Sequence, residues 1–384
     1  MALSDIRAAV VGVGFIGVAH VEALRRLGVD VCGVLGSTPE RARRKAAAAN
    51  LPHVYDSFDD LLEDNGVDVV HIASPNHVHA QQATAALAAG KHVVCEKPLG
   101  LNSSETSLLT QAAGISGLVN AVCFNIRFYP LCHQMRAMVM SNEIGEPRLV
   151  TGSYLQDWLL LPSDWNWRLI PEQAGALRAV ADIGSHWLDL ARFITGRRVV
   201  ELMADLHTLV KVRRHPPGPV ETFASVSDDG DLIDEEMTSD DACGILLRFE
   251  DGVRGAVTIS QVSAGRKNSL DIEVNGSTSS LAWGSEDPDR LWIGHRGGPN
   301  EILQRDPSLV APAASALIAY PGGHVEGYPD TFRALFASVY SDIERGSPSA
   351  APAYPTFSDG HDAVCVTEAV ARSSAERSWT AVKR

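Results

Sequence analysis

Two segments of the chain carry side chains that could assist the oxidation of an alcohol by moving a proton and orienting the hydroxyl. The triplet Glu96-Lys97-Pro98 follows the apolar run 91–95, and Asp182 and His186 lie together in a later segment. Removing the hydroxyl proton of a carbinol requires a group that titrates near neutrality, as histidine does. We therefore assign His186 as the general base, or the acid in the reverse direction. Asp182 would orient the imidazole or the substrate hydroxyl, and Lys97 would donate to the reacting oxygen.

The same side chains have structural interpretations, which the sequence leaves open. Asp182 could be a helix N-cap, and His186 could be a histidine satisfied within the core. Spacings of four and three residues place Asp182, His186 and Asp189 on one face of a helix. Asp189 either binds a substrate hydroxyl or forms an ion pair with Arg192.

A glycine-rich turn near the start of the chain predicts a dinucleotide site. An apolar run over 7–13 has the length of a buried strand, and a helical pattern begins at Phe15 and Ile16. Gly12 permits the tight turn, Gly14 lets the backbone approach a pyrophosphate, and Gly17 lets helix and strand pack closely. The N–H groups at the start of that helix would bind the phosphates.

The end of the second strand indicates which dinucleotide binds. An acidic residue there would hold the ribose 2′-hydroxyl of NAD, and this chain has none. Ser37 and Thr38 can donate to a 2′-phosphate, and Arg41 can neutralise it, which favours NADP. Glu40 is the acidic residue nearest the end of the second strand, so NAD remains the alternative cofactor. Ser37 and Thr38 could also be only a cap and first helical turn.

Strand and helix patterns alternate up to about residue 125, which predicts a parallel, doubly wound sheet. Longer strand-like runs follow and predict a large, mostly antiparallel sheet covered by helices; they lie at 148–154, 199–210, 242–249, 255–260 and 269–274. The fold class is therefore α/β, with a domain at 1–124 and a second α/β domain at 125–384 whose C-terminal helix packs back on the first. The charged segment 211–241 is expected to be a mobile surface excursion.

Composition excludes several classes of partner. The 384 residues carry a net charge of −14 and no apolar stretch long enough for a membrane span, so we expect neither nucleic-acid nor membrane binding.

No secretory signal is visible at the start, which predicts a cytoplasmic protein. The six scattered cysteines predict reduced core residues. No cluster of histidine and carboxylates has metal spacing, and we predict no catalytic metal.

Together these motifs resemble the Gfo/Idh/MocA oxidoreductases over nearly the whole chain. The matching motifs are Gly12-x-Gly14-x-x-Gly17 with His20, Pro75-Asn76-x-x-His79, Glu96-Lys97-Pro98, Asn125-x-Arg127-x-x-Pro130, Asp182-x-Gly184-x-His186-x-x-Asp189, Gly323-His324-x-Glu326-Gly327 and 354–360. The resemblance implies an N-terminal Rossmann domain, a C-terminal domain whose open sheet makes oligomer contacts, and NAD(P)-dependent oxidation of a secondary alcohol. The proline of the triplet is often cis in this family. Two features depart from the pattern: Ala174-Gly175 replaces the usual Gly-Gly, and the acidic NAD selector is absent.

The resemblance also implies further binding residues. Asn76 and His79 would face the nicotinamide ribose, although both could be a cap and first helical turn. The other residues expected to line the cofactor are Ser74, Pro75, Glu96, Lys97, Asn125 and Arg127.

Two aromatic-rich segments are candidates for the substrate wall, since they mix tryptophans with hydrogen-bonding side chains. Asp157, Trp165 and Arg168 are the expected contacts, and the alternative is a tryptophan-rich loop packed on the core. His324 could line the same pocket or belong to an ordinary turn.

The sequence thus predicts an NADP- or NAD-dependent dehydrogenase acting on a secondary alcohol of a sugar, sugar derivative or inositol, as a homodimer or homotetramer. Two alternatives from other classes remain. A glycosidase with tightly bound nicotinamide would hydrolyse without accumulating reduced cofactor. A dinucleotide sensor would need only the phosphate loop, whereas this chain also keeps Lys97, Asp182 and His186.

Overall fold

The computed structural model describes residues 2–218, 220 and 232–384. The chain forms two compact units by its internal contacts. The first unit comprises Met1–Asn125, Glu172–Gly175 and Pro329–Val364. The second comprises Ile126–Pro171, Ala176–Tyr328 and Cys365–Arg384. Two later pieces of the chain therefore belong to the first unit.

The first unit contains a five-stranded sheet in the order β2-β1-β3-β4-β5, with every neighbouring pair parallel. Its strands are β1 Arg7–Val11, β2 Asp30–Leu35, β3 Val69–Ile72, β4 His92–Cys95 and β5 Asn120–Val122. Each is almost wholly buried, which is why the sequence reads as unbroken apolar runs. The alternating part of the sequence thus folds as predicted.

Five helices connect these strands: α1 Phe15–Leu27, α2 Pro39–Ala48, α3 Phe58–Glu63, α4 His79–Ala88 and α5 Ser103–Ser116. Local side chains set where several of them begin. Thr38, Ser57 and Asn102 each accept a backbone N–H as the N-cap of α2, α3 and α5. Gly28 ends α1 in the left-handed conformation, which glycine adopts without steric cost.

The second unit is built on a nine-stranded sheet in the order β15-β14-β13-β12-β6-β11-β10-β7-β16. Its strands are β6 Leu149–Leu155, β7 Val199–His207, β10 Ala242–Phe249, β11 Arg254–Ser260, β12 Ser269–Asn275, β13 Ser279–Gly284, β14 Arg290–His295, β15 Glu301–Gln304 and β16 Thr380–Ala381. The pair β6·β11 is parallel and the other neighbours are antiparallel. The predicted α/β class with two kinds of sheet is confirmed.

The remaining helices are α6 Pro130–Met140, α7 Pro171–Ala174, α8 Ser185–Thr195, α9 Pro312–Ser315, α10 Tyr328–Arg345 and α11 Phe357–Glu376. Helix α8 packs on the sheet of the second unit through Trp187, which is fully buried and donates its Nε1–H to the carbonyl oxygen of Asp271 at 3.0 Å. Gly152 on β6 leaves room for this contact, because a Cβ there would lie 2.7 Å from the indole nitrogen. The site-bearing helix is thus fixed to the sheet.

The described parts of the segment 211–241 include two strands that the sequence did not predict. Strands β8 Val212–His215 and β9 Ile233–Glu236 pair as a hairpin, and the side chain of Arg213 is fully buried. A buried arginine needs charged or carbonyl partners, and Arg213 finds them outside the hairpin, in Asp241 and in backbone carbonyls of the loop 159–164. The acidic run at 228–231 lies outside the described residues.

All six cysteines are free and buried, as predicted. Among the described residues, the helices are too short or too polar to cross a bilayer.

Candidate active site

The residues predicted to bind a dinucleotide lie at the carboxyl edge of the first unit's sheet. Gly12 follows β1, Ser37 follows β2, Ser74 follows β3 and Lys97 follows β4. Ligands of doubly wound sheets bind outside this edge, where the strand order reverses. The order β2-β1-β3 places that reversal at β1 and β3, beside the glycine turn.

The three glycines of the turn fit a pyrophosphate, each for a different reason. A Cβ on Gly17 would lie 1.9 Å from the carbonyl oxygen of Gly12, so only glycine lets α1 approach the turn. Gly12 has φ +103° and faces the carbonyl of Ala73. A Cβ on Gly14, by contrast, would meet no heavy atom within 4 Å. That open space at the N-terminus of a thirteen-residue helix suits a dinucleotide phosphate.

The end of β2 offers hydroxyl groups and no carboxylate. Ser37 and Thr38 are exposed, and the Thr38 Oγ1 accepts the backbone N–H of Arg41 at 3.3 Å. The capping role considered for Thr38 is therefore present. A capping hydroxyl still has a hydrogen to donate, so this geometry is compatible with a bound phosphate.

Beyond β3, His79 links two backbone segments instead of projecting from the sheet edge. Its Nδ1 lies 2.7 Å from the carbonyl oxygen of Pro98 and its Nε2 lies 2.8 Å from that of Ser74. Burial lowers the pKa of His79, while the two carbonyl oxygens favour the protonated ring. The imidazole thus ties Ser74 to the turn that carries Lys97. Nearby, Asn76 donates its Nδ2–H to the carbonyl oxygen of Ala174 at 3.0 Å.

Lys97 projects from a turn with a cis Lys97-Pro98 peptide bond, as the family resemblance implied. Its backbone N–H donates to Oε2 of Glu96 at 3.2 Å. After β5, the buried Asn125 donates its Nδ2–H to the hydroxyl of Thr331 at 2.8 Å. These contacts fix the backbone at the ends of two adjacent strands.

In the second unit, Asp182 lies in a π-helical turn, Val180–Gly184, that runs directly into α8. The prediction of one regular helix face for Asp182, His186 and Asp189 is therefore corrected, because the wider turn moves Asp182 off the α-helical register. His186 and Asp189 remain on α8 and are buried. Single π turns inside helices often occur at functional sites.

The Asp182 carboxylate accepts hydrogen bonds from a cationic donor, Arg168, and from a neutral donor, Gln261. Its Oδ1 lies 3.2 Å from Nε of Arg168, and its Oδ2 lies 2.8 Å from Nε2 of Gln261. Both donors favour the ionised carboxylate. The structure thus brings together two residues predicted for the substrate site, Arg168 and Asp182, and adds Gln261, which the sequence analysis missed.

Gln261 connects this pair to a buried ionic cluster. Its Oε1 accepts from Arg178 at 3.1 Å, and Arg178 is paired with Asp241. Asp241 also binds Arg213 at 2.9 Å, and both guanidinium groups are buried. Burial lowers the pKa of each arginine, and the Asp241 carboxylate opposes that shift. This cluster could not be predicted from the sequence, since its members come from distant segments.

Arg213 extends the cluster to the loop that carries Arg168. Its guanidinium donates to the carbonyl oxygens of Leu159, Leu161 and Asp164 at 2.8, 2.9 and 3.2 Å. Trp165 of the same loop is buried and stacks on His215 with ring centroids 3.8 Å apart. This packing agrees with the alternative that the sequence left open, and a contact of Trp165 with substrate stays a prediction.

Three other predicted site residues have structural partners. Arg127 forms a buried bidentate pair with Asp189, with Nε 2.6 Å from Oδ2. Asp157 binds Nζ of Lys267 at 2.7 Å, which holds the pKa of its carboxyl below the usual range. His324 is exposed in a turn whose backbone binds the buried Arg305. Any contact of these three with a ligand stays a prediction.

Comparison with known proteins agrees with this geometry. The oxidoreductase family with an NAD-binding Rossmann fold matches residues 6–124, and the GFO/IDH/MocA C-terminal domain matches residues 132–282. A crystal structure of an oxidoreductase domain protein from Kribbella flavida has a TM-score of 0.88 and 31% identity, covering 99% of this chain and 100% of that one.

The chain belongs to the Gfo/Idh/MocA oxidoreductase family.

Two other members of the Gfo/Idh/MocA family have names that specify a substrate or cofactor. Levoglucosan dehydrogenase of Pseudarthrobacter phenanthrenivorans is 27% identical over 393 residues, covering 99% of this chain and 99% of the relative. An inositol dehydrogenase homolog from Azotobacter vinelandii, complexed with NAD+, has a TM-score of 0.86 and 28% identity, covering 98% of this chain and 97% of that one. Both names describe oxidoreductases of the sugar and inositol type.

Proposed function

We propose that this member of the Gfo/Idh/MocA family oxidises a secondary alcohol of a sugar, sugar derivative or inositol, or reduces the corresponding ketone. The observation that carries the proposal is the hydrogen-bonded set Arg168–Asp182–Gln261. Its central carboxylate, Asp182, lies in the turn before α8, four residues before His186. An ionised carboxylate fixed from both sides is a suitable acceptor for a substrate hydroxyl.

In the proposed reaction the hydride passes to the cofactor and side chains of the protein handle the proton. A bound nicotinamide would supply the acceptor for the hydride that leaves the carbinol carbon. His186 takes the hydroxyl proton in the oxidation direction and returns it in the reduction direction. Asp182 orients the imidazole or the hydroxyl, and Lys97 donates to the reacting oxygen as negative charge develops there. The net products are a ketone, the reduced cofactor and one proton.

Polyol substrates are supported by the alternation of donors and acceptors around Asp182. Arg168 offers N–H groups only, Asp182 accepts, and Gln261 does both. Sites that pair with hydroxyl groups reject analogues lacking them, because the buried polar groups would be left unsatisfied. The names of the relatives, levoglucosan dehydrogenase and inositol dehydrogenase homolog, support the same class.

For the cofactor we propose NADP, with NAD as the alternative. Ser37 and Thr38 at the end of β2 are exposed hydroxyl donors, and no carboxylate follows the strand to hold a ribose 2′-hydroxyl. Arg41 in the first turn of α2 supplies positive charge for a 2′-phosphate. The NAD+ bound to the Azotobacter relative supports the alternative.

We also propose a homodimer or homotetramer. On the sheet of the second unit, Met203 and Leu246 are registered partners on β7 and β10, and both are exposed. Adjacent apolar side chains on an uncovered sheet face favour association. Light scattering during size-exclusion chromatography measures the assembly directly.

The test of function is absorbance at the reduced-nicotinamide band with pyranoses, anhydrosugars, glycosides and inositols, supplying NADP and NAD separately. We expect turnover with at least one polyol, and its loss in Lys97→Met and in His186→Asn. Hydrolysis of a glycoside without accumulation of reduced cofactor would replace the proposal with a glycosidase. Cofactor binding without turnover on any polyol would replace it with a sensor.

A further inference from the structure

Behind Lys97, four buried polar side chains of the first unit form a hydrogen-bonded chain. Oε1 of Glu96 lies 3.2 Å from Nε2 of His20, and Nδ1 of His20 lies 3.1 Å from Nδ1 of His71. Nε2 of His71 then lies 3.0 Å from the hydroxyl of Tyr340. These residues come from the end of β4, from α1, from β3 and from α10. They are remote in sequence, and the fold alone brings them into line.

The four side chains are buried among aromatic rings. The rings of Phe332 and Phe336 lie against His20 with centroids 5.4 and 4.8 Å away, and Phe336 also contacts His71. Unsatisfied polar groups are costly in such a site, so every nitrogen and oxygen should take part in a hydrogen bond. This requirement restricts where the hydrogens can be.

Two groups of the chain have a defined protonation state. Burial lowers the pKa of His71 well below its ordinary value, so this ring is neutral and carries one N–H. Burial raises the pKa of Tyr340, so its hydroxyl remains protonated. The positions of the hydrogens on His71 and His20 then decide the direction in which the chain donates.

One arrangement satisfies the chain with both rings neutral and Glu96 ionised. Tyr340 donates to Nε2 of His71, the Nδ1–H of His71 donates to Nδ1 of His20, and the Nε2–H of His20 donates to Glu96. In the reverse arrangement Nε2 of His20 carries a lone pair, and Glu96 must be a protonated carboxylic acid in order to donate a hydrogen bond to that nitrogen. The first arrangement leaves Oε2 of Glu96 as an anionic acceptor for the Lys97 backbone N–H, at 3.2 Å.

We propose that His20 and His71, anchored by Tyr340, are positioning residues that hold Glu96 as an oriented acceptor and so fix the turn from which Lys97 acts. The effect on turnover rests on the proposed function, because it requires Lys97 to be catalytic. The direction of the hydrogen bonds does not rest on the proposed function, because it is a property of the protein without cofactor or substrate. The two parts are therefore tested separately.

A bound metal ion is the competing explanation for the close approach of His20 and Glu96. Ligand atoms of His20, Glu96 and Cys123 lie within 4.8 Å of one another. Burial raises the pKa of the Cys123 thiol well above its ordinary value, which opposes the thiolate that a metal requires. Structural zinc sites use four ligands, whereas the group identified among the described residues has three. The hydrogen-bonded chain is the better explanation, and metal binding is one outcome of the test.

The first measurement is nitrogen NMR of the ¹⁵N-histidine-labelled protein at pH 7, without cofactor. The signals are assigned with His20→Gln and His71→Asn, and metal content is measured on the same sample. We expect the Nε2–H tautomer for His20, the Nδ1–H tautomer for His71, and no stoichiometric metal. Opposite tautomers, a doubly protonated His20, or one bound metal ion per chain would overturn the proposal.

The second measurement compares glutamine and asparagine at both positions. Glutamine places an amide near the Nε2 position of histidine, and asparagine places one near Nδ1. His20 must donate from Nε2, so His20→Gln should turn over faster than His20→Asn. His71 must donate from Nδ1, so His71→Asn should turn over faster than His71→Gln. We expect a difference of about tenfold in kcat at His20, whose hydrogen bond is to a charged group, and a smaller one of about three- to tenfold at His71, whose hydrogen bond is to a neutral ring. The substrate KM should change little.

This crossed order separates positioning from packing. If the two histidines only filled space, glutamine would be the better replacement at both positions because it is the larger amide. The same order at both positions, with melting temperatures in that order, would overturn the positioning role. Tyr340→Phe is the mildest variant, since it removes a single hydroxyl. It removes the hydrogen bond to Nε2 of His71, so the NMR signal of that nitrogen should move while the Nδ1–H tautomer persists. An unchanged Nε2 signal would contradict the hydrogen-bonded chain.

If Lys97→Met retains full turnover, the proposed function fails while the NMR result still stands or falls by itself. If Lys97→Met is inactive and the tautomers are as expected, but all four amide variants keep wild-type kcat, the positioning role alone is overturned.

Discussion

Nε2 of Gln261 lies 2.8 Å from Oδ2 of Asp182, while Oε1 of the same amide lies 3.1 Å from Nη1 of Arg178. A single side chain therefore links a proposed active-site carboxylate to a buried arginine. The amide matches both neighbours, since its NH₂ faces the acceptor and its oxygen faces the donor. Neither leucine nor glutamate could make both contacts.

Gln261→Leu should lower kcat/KM about 10- to 100-fold, because a hydrogen bond to a charged group contributes about 1.5–3 kcal/mol. Asp182 would lose the donor on Oδ2 and its fixed orientation. Steady-state kinetics on the best polyol substrate measures the effect. Gln134→Leu is the matched control: Gln134 is also buried in the second unit, but its Oε1 accepts the backbone N–H of Ala311. Equal kinetic losses in both variants would mean that Gln261 acts only through stability.

Gly14→Ala and Gly17→Ala should separate cofactor binding from folding. A methyl group on Gly14 enters open space, so the variant should keep the wild-type melting temperature and bind dinucleotide more weakly. A methyl group on Gly17 would lie 1.9 Å from the carbonyl oxygen of Gly12, so that variant should be destabilised by about 1–3 kcal/mol or more. Thermal unfolding and fluorescence titration with the reduced cofactor measure the two effects. Wild-type affinity in folded Gly14→Ala would argue against the glycine turn as the phosphate site.

Ser37→Asp should move cofactor preference from NADP towards NAD. The new carboxylate would repel a 2′-phosphate and could accept the ribose 2′-hydroxyl. We expect the ratio of kcat/KM for NADP to that for NAD to fall at least about tenfold, which corresponds to about 1.4 kcal/mol. Ser37→Asn, which has the same shape without the charge, should change the ratio much less. Equal changes in both variants would contradict an electrostatic selector at the end of β2.

His133→Phe should make the protein less sensitive to acid. Burial lowers the pKa of His133 to about 3, and the ring packs on Phe128 and Phe193. Below about pH 6.5 the unfolded chain binds a proton there and the folded chain does not, so the free energy of unfolding falls as pH falls. The slope is up to about 1.4 kcal/mol per pH unit down to the folded pKa.

Urea unfolding at pH 7 and pH 5 measures this effect. The wild type should lose up to about 2 kcal/mol more between these pH values than His133→Phe loses. His207→Phe is the control, since His207 is on the surface of the same unit. A pH dependence unchanged by His133→Phe would show that His133 titrates normally in the folded chain.

The sequence alone determined the features that depend on neighbouring residues. The glycine turn, the strand before it and the helix after it lie within 7–27, where local spacing fixes the backbone. Because the carboxyl ends of parallel strands share one edge, the residues that follow four of these strands, Gly12, Ser37, Ser74 and Lys97, all lie there. The family follows from the same motifs.

Only the tertiary structure decided which side chains are partners. Arg127 joins Asp189 across 62 positions, and Gln261 joins Asp182 across 79. Sequence periodicity reports which face of an element is buried, but carries no record of which distant element covers that face. The π turn at Asp182 was also missed, because a regular helix fits the local spacing equally well. Substrate contacts depend on such distant pairs, so the chemistry was predictable while its positioning was not.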